Sequence, residues 1–388
     1  MKKMVSISLF LIMLIVASGA TQSTPESSNI NSKLLNSMES NLENFQKNNQ
    51  DFNKKTDDNI RSIAEFESVD ELIITWPKWY SIKIDKLKIA EPYMVDLIKA
   101  AEDAVTIRIN IDNPIIKLRI ISILKKVGVP LNNITFSRIR TNTIWCRDYG
   151  PFFIEKNEEL SIVDFNYYGL KARLIDNLYP SFYGIKNNIH FSFRTNFILC
   201  LSGGNYMTDG HGRAMVCDKP LHAINLNRFL TNEEIKDILK LYLGLDEVYI
   251  FPSQKHDGTG HIDMFSKLLD DNTVLVGEWD ASDENYQILE DNAINFSNLG
   301  FNVIRIPMLR DPNPENNTIW TYTNSVIING THKKVVLVPQ YNVPEDSIAI
   351  SIYQQEMQDY EIRGIDCRII IPCQGAIHCS TFTRPLLN

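Results

Sequence analysis

The stretch Trp145-Cys146-Arg147-Asp148-Tyr149-Gly150-Pro151-Phe152-Phe153 places an aromatic ring, a cation and a carboxylate before a predicted strand. Gly150-Pro151 bends the backbone, which lets the preceding side chains point to one place. Phe152–Ile154 and Leu160–Val163 then flank a polar turn and predict a β-hairpin. A carboxylate beside an aromatic ring suits a flat cation such as guanidinium. The alternative interpretation is a buried Arg147–Asp148 pair beside core aromatic residues.

The hairpin pattern recurs along the chain. Further pairs of β-rich segments flank turns of Asn, Asp and Gly at a spacing of roughly 50 to 60 residues, and helices are predicted at Asn232–Leu243 and Asp283–Phe296. The alternation predicts an α/β fold of ββαβ-type repeats in a ring or a solenoid. A ring would gather the starts of the hairpins at its centre, where a site would form. The further hairpins are Gly203–Met207 with Ala214–Val216, Met264–Leu268 with Thr273–Val276, and Ser325–Ile328 with Val335–Val338.

Charge and length limit the classes of function. The chain has 388 residues and a net charge of −8, with no long basic block. This argues against nucleic acid as a partner and is compatible with a cationic substrate. The length suffices for one large domain or two ordinary ones.

The amino terminus has the pattern of an export signal. Lys2 and Lys3 precede an apolar run, Met4–Val16, and small residues lead to a predicted cleavage after Ala20. We therefore predict a signal peptide at residues 1–20, a polar leader at 21–58 that is helical or disordered, and a single catalytic domain at 59–388. The expected location is secreted or periplasmic, with no membrane association after cleavage. An uncleaved membrane anchor is the alternative.

The six cysteines do not form a recognisable scaffold. Disulfides are compatible with an exported protein, but the spacing matches no small disulfide framework and no paired CxxC units occur. The sequence therefore predicts no zinc site, and no metal or cofactor is expected.

Polar residues stand where the predicted hairpins begin: Asp148, His261, Asp263, Asn324 and Cys379. His261 and Asp263 are two residues apart, so on a strand both would project from one face. On the same argument, His378 would point away from Cys379, which makes His261 the better partner for the thiol. The alternatives are a histidine satisfied in the core and a cysteine that is a small buried apolar residue, the interpretation we favour for Cys146.

In order and composition these motifs resemble the guanidino-group-modifying (pentein) superfamily, most closely bacterial peptidylarginine deiminases of the Porphyromonas type and then agmatine deiminases. The resemblance extends from about residue 65 to the carboxyl terminus. It implies a five-fold pseudosymmetric α/β propeller with its active site at the central axis. The segments that carry it are Trp145–Pro151, Gly203–Asn205 with Asp209-Gly210, Gly260–Asp263, Tyr322–Ser325 and Ala376–Cys379.

The resemblance implies a mechanism for these residues. Cys379 would attack the guanidinium carbon as a thiolate, while Asp148 and Asp263 would bind the guanidinium N–H groups. His261 would protonate the leaving ammonia and then activate the water that resolves a thiouronium intermediate. Asn324 would orient the substrate or the thiol.

The expected activity is that of an exported hydrolase that converts the guanidinium of arginine, in peptides or proteins and at a C-terminal position, to citrulline and ammonia. Trp145 and Arg147 are predicted to contact the substrate. Lys171 and Arg173 lie near the place where the peptidylarginine type has an Arg-x-Arg pair that binds a substrate carboxylate. They would do the same here, although Lys lacks the bidentate fork of Arg.

Three alternatives stay open. The chain could be an agmatine deiminase, which forms N-carbamoylputrescine. A cysteine peptidase could use His261 and Cys379, but it leaves Asp148 and Trp145 unexplained. An inactive arginine-binding protein would have no need of Cys379. The sequence does not define the oligomeric state.

Overall fold

A computed structural model describes residues 59–77, 84–167, 173–194, 199–223, 230–313 and 318–387. The predicted signal peptide and polar leader lie outside the described residues. The strands are β1 Ile60–Ser62, β2 Ser68–Thr75, β3 Thr106–Asn110, β4 Ile134–Ser137, β5 Phe152–Lys156, β6 Glu159–Asp164, β7 His190–Arg194, β8 Met207–Thr208, β9 Arg213–Cys217, β10 Glu247–Phe251, β11 Ser266–Leu268, β12 Thr273–Glu278, β13 Asn302–Arg310, β14 Ile319–Thr321, β15 Val326–Gly330, β16 Lys334–Gln340, β17 Glu361–Asp366 and β18 Thr381–Pro385.

The helices lie between these strands and begin and end at recognisable signals. The helix Asn232–Leu243 starts at a capping box formed by Thr231 and Glu234 and is followed by Gly244, whose φ is 63°. Short 3₁₀ turns occur at Gly203–Asn205, Ile262–Met264 and Ile371–Cys373. The helices are α1 Ile84–Ala101, α2 Pro114–Lys126, α3 Cys146–Tyr149, α4 Leu174–Asn177, α5 Tyr179–Asn187, α6 Asp218–Ala223, α7 Asn232–Leu243, α8 Tyr286–Asn298 and α9 Glu345–Glu356.

One pairing pattern repeats along the described chain. The hairpins β5–β6, β8–β9, β11–β12 and β15–β16 are antiparallel, as the sequence predicted. After each hairpin the chain passes through one or more helices, and the next strand returns parallel to the second hairpin strand, as in β6–β7, β9–β10, β12–β13 and β16–β17. The first hairpin closes through Asn157 and Glu158, both with positive φ, which fits a tight two-residue turn.

A further unit of the same kind joins the two ends of the described chain. β18, near the carboxyl terminus, pairs antiparallel with β2, and β3 follows α1 and runs parallel to β2. The turn that precedes β18 carries Cys379, so this unit brings the last motif of the sequence beside the first strands of the fold. The α/β class and the ββαβ-type unit are thus confirmed, and five-fold symmetry about a central axis remains a prediction.

The core is built where the parallel strands meet the helices. Val335–Val338 in β16 are fully buried, because the strand is paired on both sides and covered. α7 turns Ile235, Ile238 and Leu239 inward, as its apolar spacing predicts. Among the described helices, none is both long enough and apolar enough to span a bilayer.

Candidate active site

Three of the predicted site residues converge on Gly204. A methyl group at this glycine would lie 2.5 Å from Nδ1 of His261, 2.8 Å from Oδ1 of Asp148 and 3.1 Å from Oδ2 of Asp263. Gly204 belongs to the 3₁₀ turn that opens the second hairpin, and the other residues belong to turns that open neighbouring hairpins. The absence of a side chain at Gly204 therefore allows an imidazole and two carboxylates to pack closely against this turn.

Asp148 lies in α3, the single helical turn before β5, and is buried with 6% of its surface exposed. Its Oδ1 is 3.6 Å from Nδ1 of His261 and, within the described residues, accepts no hydrogen bond. Burial raises the pKa of Asp148, and the neighbouring His261 offsets part of this rise. The carboxylate thus has an oxygen available for a cationic donor.

His261 and Asp263 do not lie on a strand, which corrects the prediction. His261 directly precedes the 3₁₀ turn Ile262–Met264, and Asp263 lies within it. The tight turn still directs both side chains toward Gly204. Oδ2 of Asp263 contacts Nδ1 of His378 at 2.7 Å, and within the described chain Oδ1 accepts no hydrogen bond. Burial acts to raise the pKa of Asp263, but the hydrogen bond with His378 and nearby positive charge outweigh it and hold the pKa below its usual value.

Cys379 lies in the turn before β18 and is held by Asn324. Nδ2 of Asn324 is 3.2 Å from Sγ, and its Oδ1 accepts hydrogen bonds from the amides of Ala376 at 3.0 Å and Cys379 at 3.3 Å. The thiol donates to Oδ2 of Asp263 at 3.7 Å. Of the two roles predicted for Asn324, these contacts support orientation of the thiol. Burial, together with the charges of Asp263 and Asp148, raises the pKa of Cys379 well above its ordinary value.

His378 does not point away from the site, and this part of the sequence prediction is wrong. The prediction assumed a strand, but His378 and Cys379 lie in a turn, where adjacent side chains need not alternate. Its ring contacts Asp263 through Nδ1 and Glu65 through Nε2.

Trp145 and Cys379 flank Gly375. A methyl group at Gly375 would lie 2.8 Å from Cζ3 of Trp145 and 3.2 Å from Sγ of Cys379. The indole is therefore close enough to the thiol to form a wall of the site, as its predicted role requires.

Arg147 pairs with Glu65 and not with Asp148, its partner in the alternative interpretation of the sequence. Its guanidinium forms an ion pair with Glu65 at 3.0 Å and donates to the carbonyl of Thr381 at 3.0 Å, instead of pairing with Asp148. These contacts direct the side chain toward Glu65 and β18, and they do not support its predicted contact with the substrate.

Of the predicted carboxylate clamp, only Arg173 is described. Its guanidinium donates to the Tyr167 hydroxyl at 2.5 Å, and its charge helps to lower the pKa of Asp148, against the effect of burial. Arg173 is thus near enough to the site to influence it. Lys171 lies outside the described residues.

Sequence reasoning missed residues that the fold brings to the site. Glu65 is remote from every motif in sequence, and no local signal marks it. Gly204 and Gly375 were visible within their motifs, but their importance follows from the side chains that surround them. The position of His378 next to Cys379 in sequence could have identified it as a site residue. Adjacent side chains can face the same site in a turn, whereas on a strand they point to opposite faces.

The other cysteines and the acidic groups suggest no further centre. No disulfide joins the six cysteines, all of which lie in the described residues, and Cys146 is buried with its Sγ 3.0 Å from the Ser380 carbonyl, in agreement with a structural role. Among the residues that the structure describes, no group of three or more His, Cys, Asp and Glu side chains is placed to hold a metal ion.

The geometry defines a class of site: paired carboxylates for a planar cation, with an imidazole and an oriented thiol beside them. Residues 61–385 match the model of the Porphyromonas-type peptidyl-arginine deiminases. The chain belongs to this family, and it is an enzyme of the deiminase group, which hydrolyses C–N bonds of amidines.

The chain is also similar to a relative in sequence, and it shares its fold with two solved structures. An agmatine deiminase of Pseudomonas savastanoi pv. phaseolicola is 27% identical over 300 residues, which is 67% of this chain and 78% of the relative. The fold is similar to that of a C. jejuni agmatine deiminase, with a TM-score of 0.73, 23% identity and coverage of 85% and 97% of the two chains. An agmatine deiminase of Enterococcus faecalis has a TM-score of 0.73 at 20% identity, with coverage of 84% and 96%.

Proposed function

We propose that this chain is an agmatine deiminase, which hydrolyses the guanidinium of agmatine to a ureido group and releases ammonia. The observation that carries the proposal is the convergence of Asp148, His261 and Asp263 around Gly204, beside the thiol of Cys379. The similar proteins described as agmatine deiminases support this choice of substrate. Agmatine thus replaces C-terminal peptidyl arginine as the first candidate substrate.

The carboxylates provide the binding site for the cation. Oδ1 of Asp148 and Oδ1 of Asp263 accept no hydrogen bond within the described chain, so both oxygens can accept N–H donors of a guanidinium. Such charge-assisted bonds fix the plane of the substrate and keep it cationic. Trp145, which lies close to Gly375 as the thiol does, supplies an aromatic surface for the substrate.

The reaction then proceeds in two halves. In the first, His261 accepts the thiol proton, Sγ of Cys379 forms a bond to the guanidinium carbon, and the C–N bond breaks as His261 protonates the departing ammonia. In the second, His261 takes a proton from water, whose oxygen bonds to the same carbon. The C–S bond then breaks and releases the ureido product, the proton on His261 returns to the sulfur, and the hydroxyl proton of the intermediate passes to solvent.

Substrate binding also activates the nucleophile. In the free protein, burial and the charges of Asp263 and Asp148 raise the pKa of Cys379, so the thiol is the favoured form. A guanidinium between the two carboxylates neutralises their field and favours the thiolate. Deprotonation is therefore coupled to the presence of a cation, which protects the thiol from side reactions when no substrate is bound.

C-terminal peptidyl arginine is the second candidate, because Arg173 lies near Asp148 and could pair with a substrate carboxylate. The two remaining alternatives fit the site less well. A cysteine peptidase does not require paired carboxylates, and a binding protein does not require a thiol held by Asn324.

The experiment is a substrate comparison with the purified chain. Agmatine, arginine-ended peptides, peptides with internal arginine and free arginine are incubated separately, and ammonia and ureido product are both measured. We expect agmatine to have the highest kcat/KM, with Cys379→Ala as the inactive control. A higher kcat/KM for arginine-ended peptides would select the second candidate, and no product from any of the four would refute both.

We also propose that the protein is exported. Support comes from Lys2, Lys3 and the apolar run that precedes Ala20. Amino-terminal sequencing of protein recovered from the periplasm or the medium is expected to begin at Thr21. Recovery of the intact chain from the cytoplasm alone would contradict export.

A further inference from the structure

His378 bridges two buried carboxylates. Its Nδ1 is 2.7 Å from Oδ2 of Asp263, and its Nε2 is 2.5 Å from Oε2 of Glu65. The histidine is 5% exposed, so water does not compete strongly for either nitrogen. A neutral imidazole carries one N–H and can donate to only one of these oxygens. Donation to both requires the imidazolium form, which places a positive charge between the two carboxylates.

Glu65 is itself fixed by several elements of the fold. Its carboxylate accepts a hydrogen bond from Nζ of Lys267 in β11 and forms an ion pair with Arg147 in α3 at 3.0 Å. It also accepts a hydrogen bond from the backbone amide of Ile327 in β15 at 3.0 Å. Burial acts to raise the pKa of Glu65, but Lys267, His378 and Arg147 outweigh it and hold the pKa well below its usual value. Glu65 is thus a rigid, ionised acceptor that anchors the far side of the His378 ring.

The consequence for Asp263 is visible in a comparison with Asp148. Both carboxylates are buried beside Gly204, yet burial prevails at Asp148 and raises its pKa, whereas the contact with His378 lowers that of Asp263. The same contact fixes Oδ2, the oxygen that also faces Gly204 and Sγ of Cys379, while Oδ1 accepts no hydrogen bond within the described chain. Of these two carboxylates, Asp263 is the one that His378 links to Glu65 in the described part of the chain.

We propose that His378 and Glu65 are positioning residues that orient Asp263 and keep it ionised for the guanidinium. This inference rests on the proposed function of the site. Neither residue needs to touch the substrate, because both act through Oδ2 of Asp263.

Other charged groups also face these residues and must be considered in any test by pH. Asp263 faces His261, Arg147, Asp148 and Cys379 in addition to His378. Glu65 faces Lys267 and Arg147. A variant that changes only His378 leaves these groups in place, so a change in the pH profile reports on the His378 contact.

The test compares His378→Ala, His378→Asn and Glu65→Gln with a matched control, Glu71→Gln. Glu71 is a buried carboxylate paired with Arg108 on neighbouring strands, outside the site. For His378→Ala we expect KM to rise by about tenfold. The acid limb of kcat/KM, which the raised pKa of Asp148 sets in the wild type, should also move up, because the equally buried Asp263 loses its cationic donor and its pKa rises past that of Asp148. Glu65→Gln shifts the limb in the same direction. His378→Asn restores part of KM through a neutral donor but leaves the limb displaced.

The control separates positioning from structural support. Glu71→Gln lowers the melting temperature without moving the pH profile. If the His378 and Glu65 variants also lower stability and kcat with an unchanged acid limb, the positioning role is refuted.

A second measurement keeps this inference independent of the substrate. The rate of Cys379 alkylation by iodoacetamide is followed against pH in wild type, His378→Ala and Glu71→Gln. Loss of the cation leaves Asp263 uncompensated, so the profile moves to higher pH in His378→Ala only. If the wild type hydrolyses no guanidinium compound but this displacement occurs, the proposed function fails and the positioning role stands. An undisplaced profile overturns the positioning role.

Discussion

Replacement of Gly204 by alanine tests the geometry of the site directly. The added methyl group would lie 2.5 Å from Nδ1 of His261, whereas ordinary contact begins near 3.4 Å. The imidazole or the turn must therefore move by about 1 Å, and a displacement of this size costs about 100-fold in rate. This corresponds to about 2.7 kcal/mol of transition-state stabilisation. The methyl group would also lie 2.8 Å from Oδ1 of Asp148 and 3.1 Å from Oδ2 of Asp263, so it would displace the two carboxylates proposed to bind the guanidinium.

The assay is kcat/KM for ammonia release, measured together with the melting temperature. Gly364→Ala in β17 is the matched control, because its added methyl group would meet Cγ of Gln340 at 2.7 Å, a side chain that can move aside. We expect Gly204→Ala to fold and to lose about 100-fold in kcat/KM, while Gly364→Ala stays near wild type. A folded Gly204→Ala enzyme with kcat/KM within about threefold of wild type would refute the proposal that the close packing at Gly204 positions the catalytic groups.

The remaining predictions concern the nucleophile, a carboxylate and the specificity residue. Cys379→Ala is expected to fold and to lose about 10⁴-fold or more in kcat; near-normal ureido formation would exclude the thiol as nucleophile. Because the pKa of Cys379 is raised, its alkylation in the free enzyme should still accelerate above pH 9, about the range of an ordinary thiol; a plateau below that pH would contradict the prediction. Asp148 binds the cation only when ionised and its pKa is raised, so kcat/KM should fall as pH decreases before an ordinary Asp pKa of about 3.9 is reached. Asp148→Asn should lower kcat/KM by about 10- to 100-fold, and wild-type kinetics would remove Asp148 from the site. Arg173→Ala should lower kcat/KM for arginine-ended peptides more than kcat/KM for agmatine; an unchanged ratio of the two would exclude a carboxylate clamp.

Local sequence patterns were sufficient to predict the repeating ββαβ-type unit. The hairpins predicted around Lys156–Glu159 and Asn329–His332 form where expected, and the helix predicted at Asn232–Leu243 has those bounds. Each depends on interactions between residues close in sequence, namely turn chemistry, alternation and capping. The unit formed by β18 and β2 was less visible, because its strands come from opposite ends of the described chain.

The error at His378 shows where local pattern was insufficient. The sequence correctly marked the Ala376–Cys379 segment but not its conformation, and a strand and a turn direct neighbouring side chains differently. The same applies to His261 and Asp263, whose convergence was expected on a strand but occurs through a 3₁₀ turn.

The sequence by itself determined the residue types of the site, their order and the ββαβ-type units that carry them, because these follow from short-range chemistry. Tertiary structure alone decided the partners: Glu65 for Arg147 and His378, Asn324 for Cys379, and Gly204 as the point of convergence. Buried charges are stabilised by whichever opposite charges the fold brings within contact distance, and Glu65 and His378 are far apart in the sequence. Their pairing depends on the packing of strands from both ends of the described chain, which no local pattern specifies.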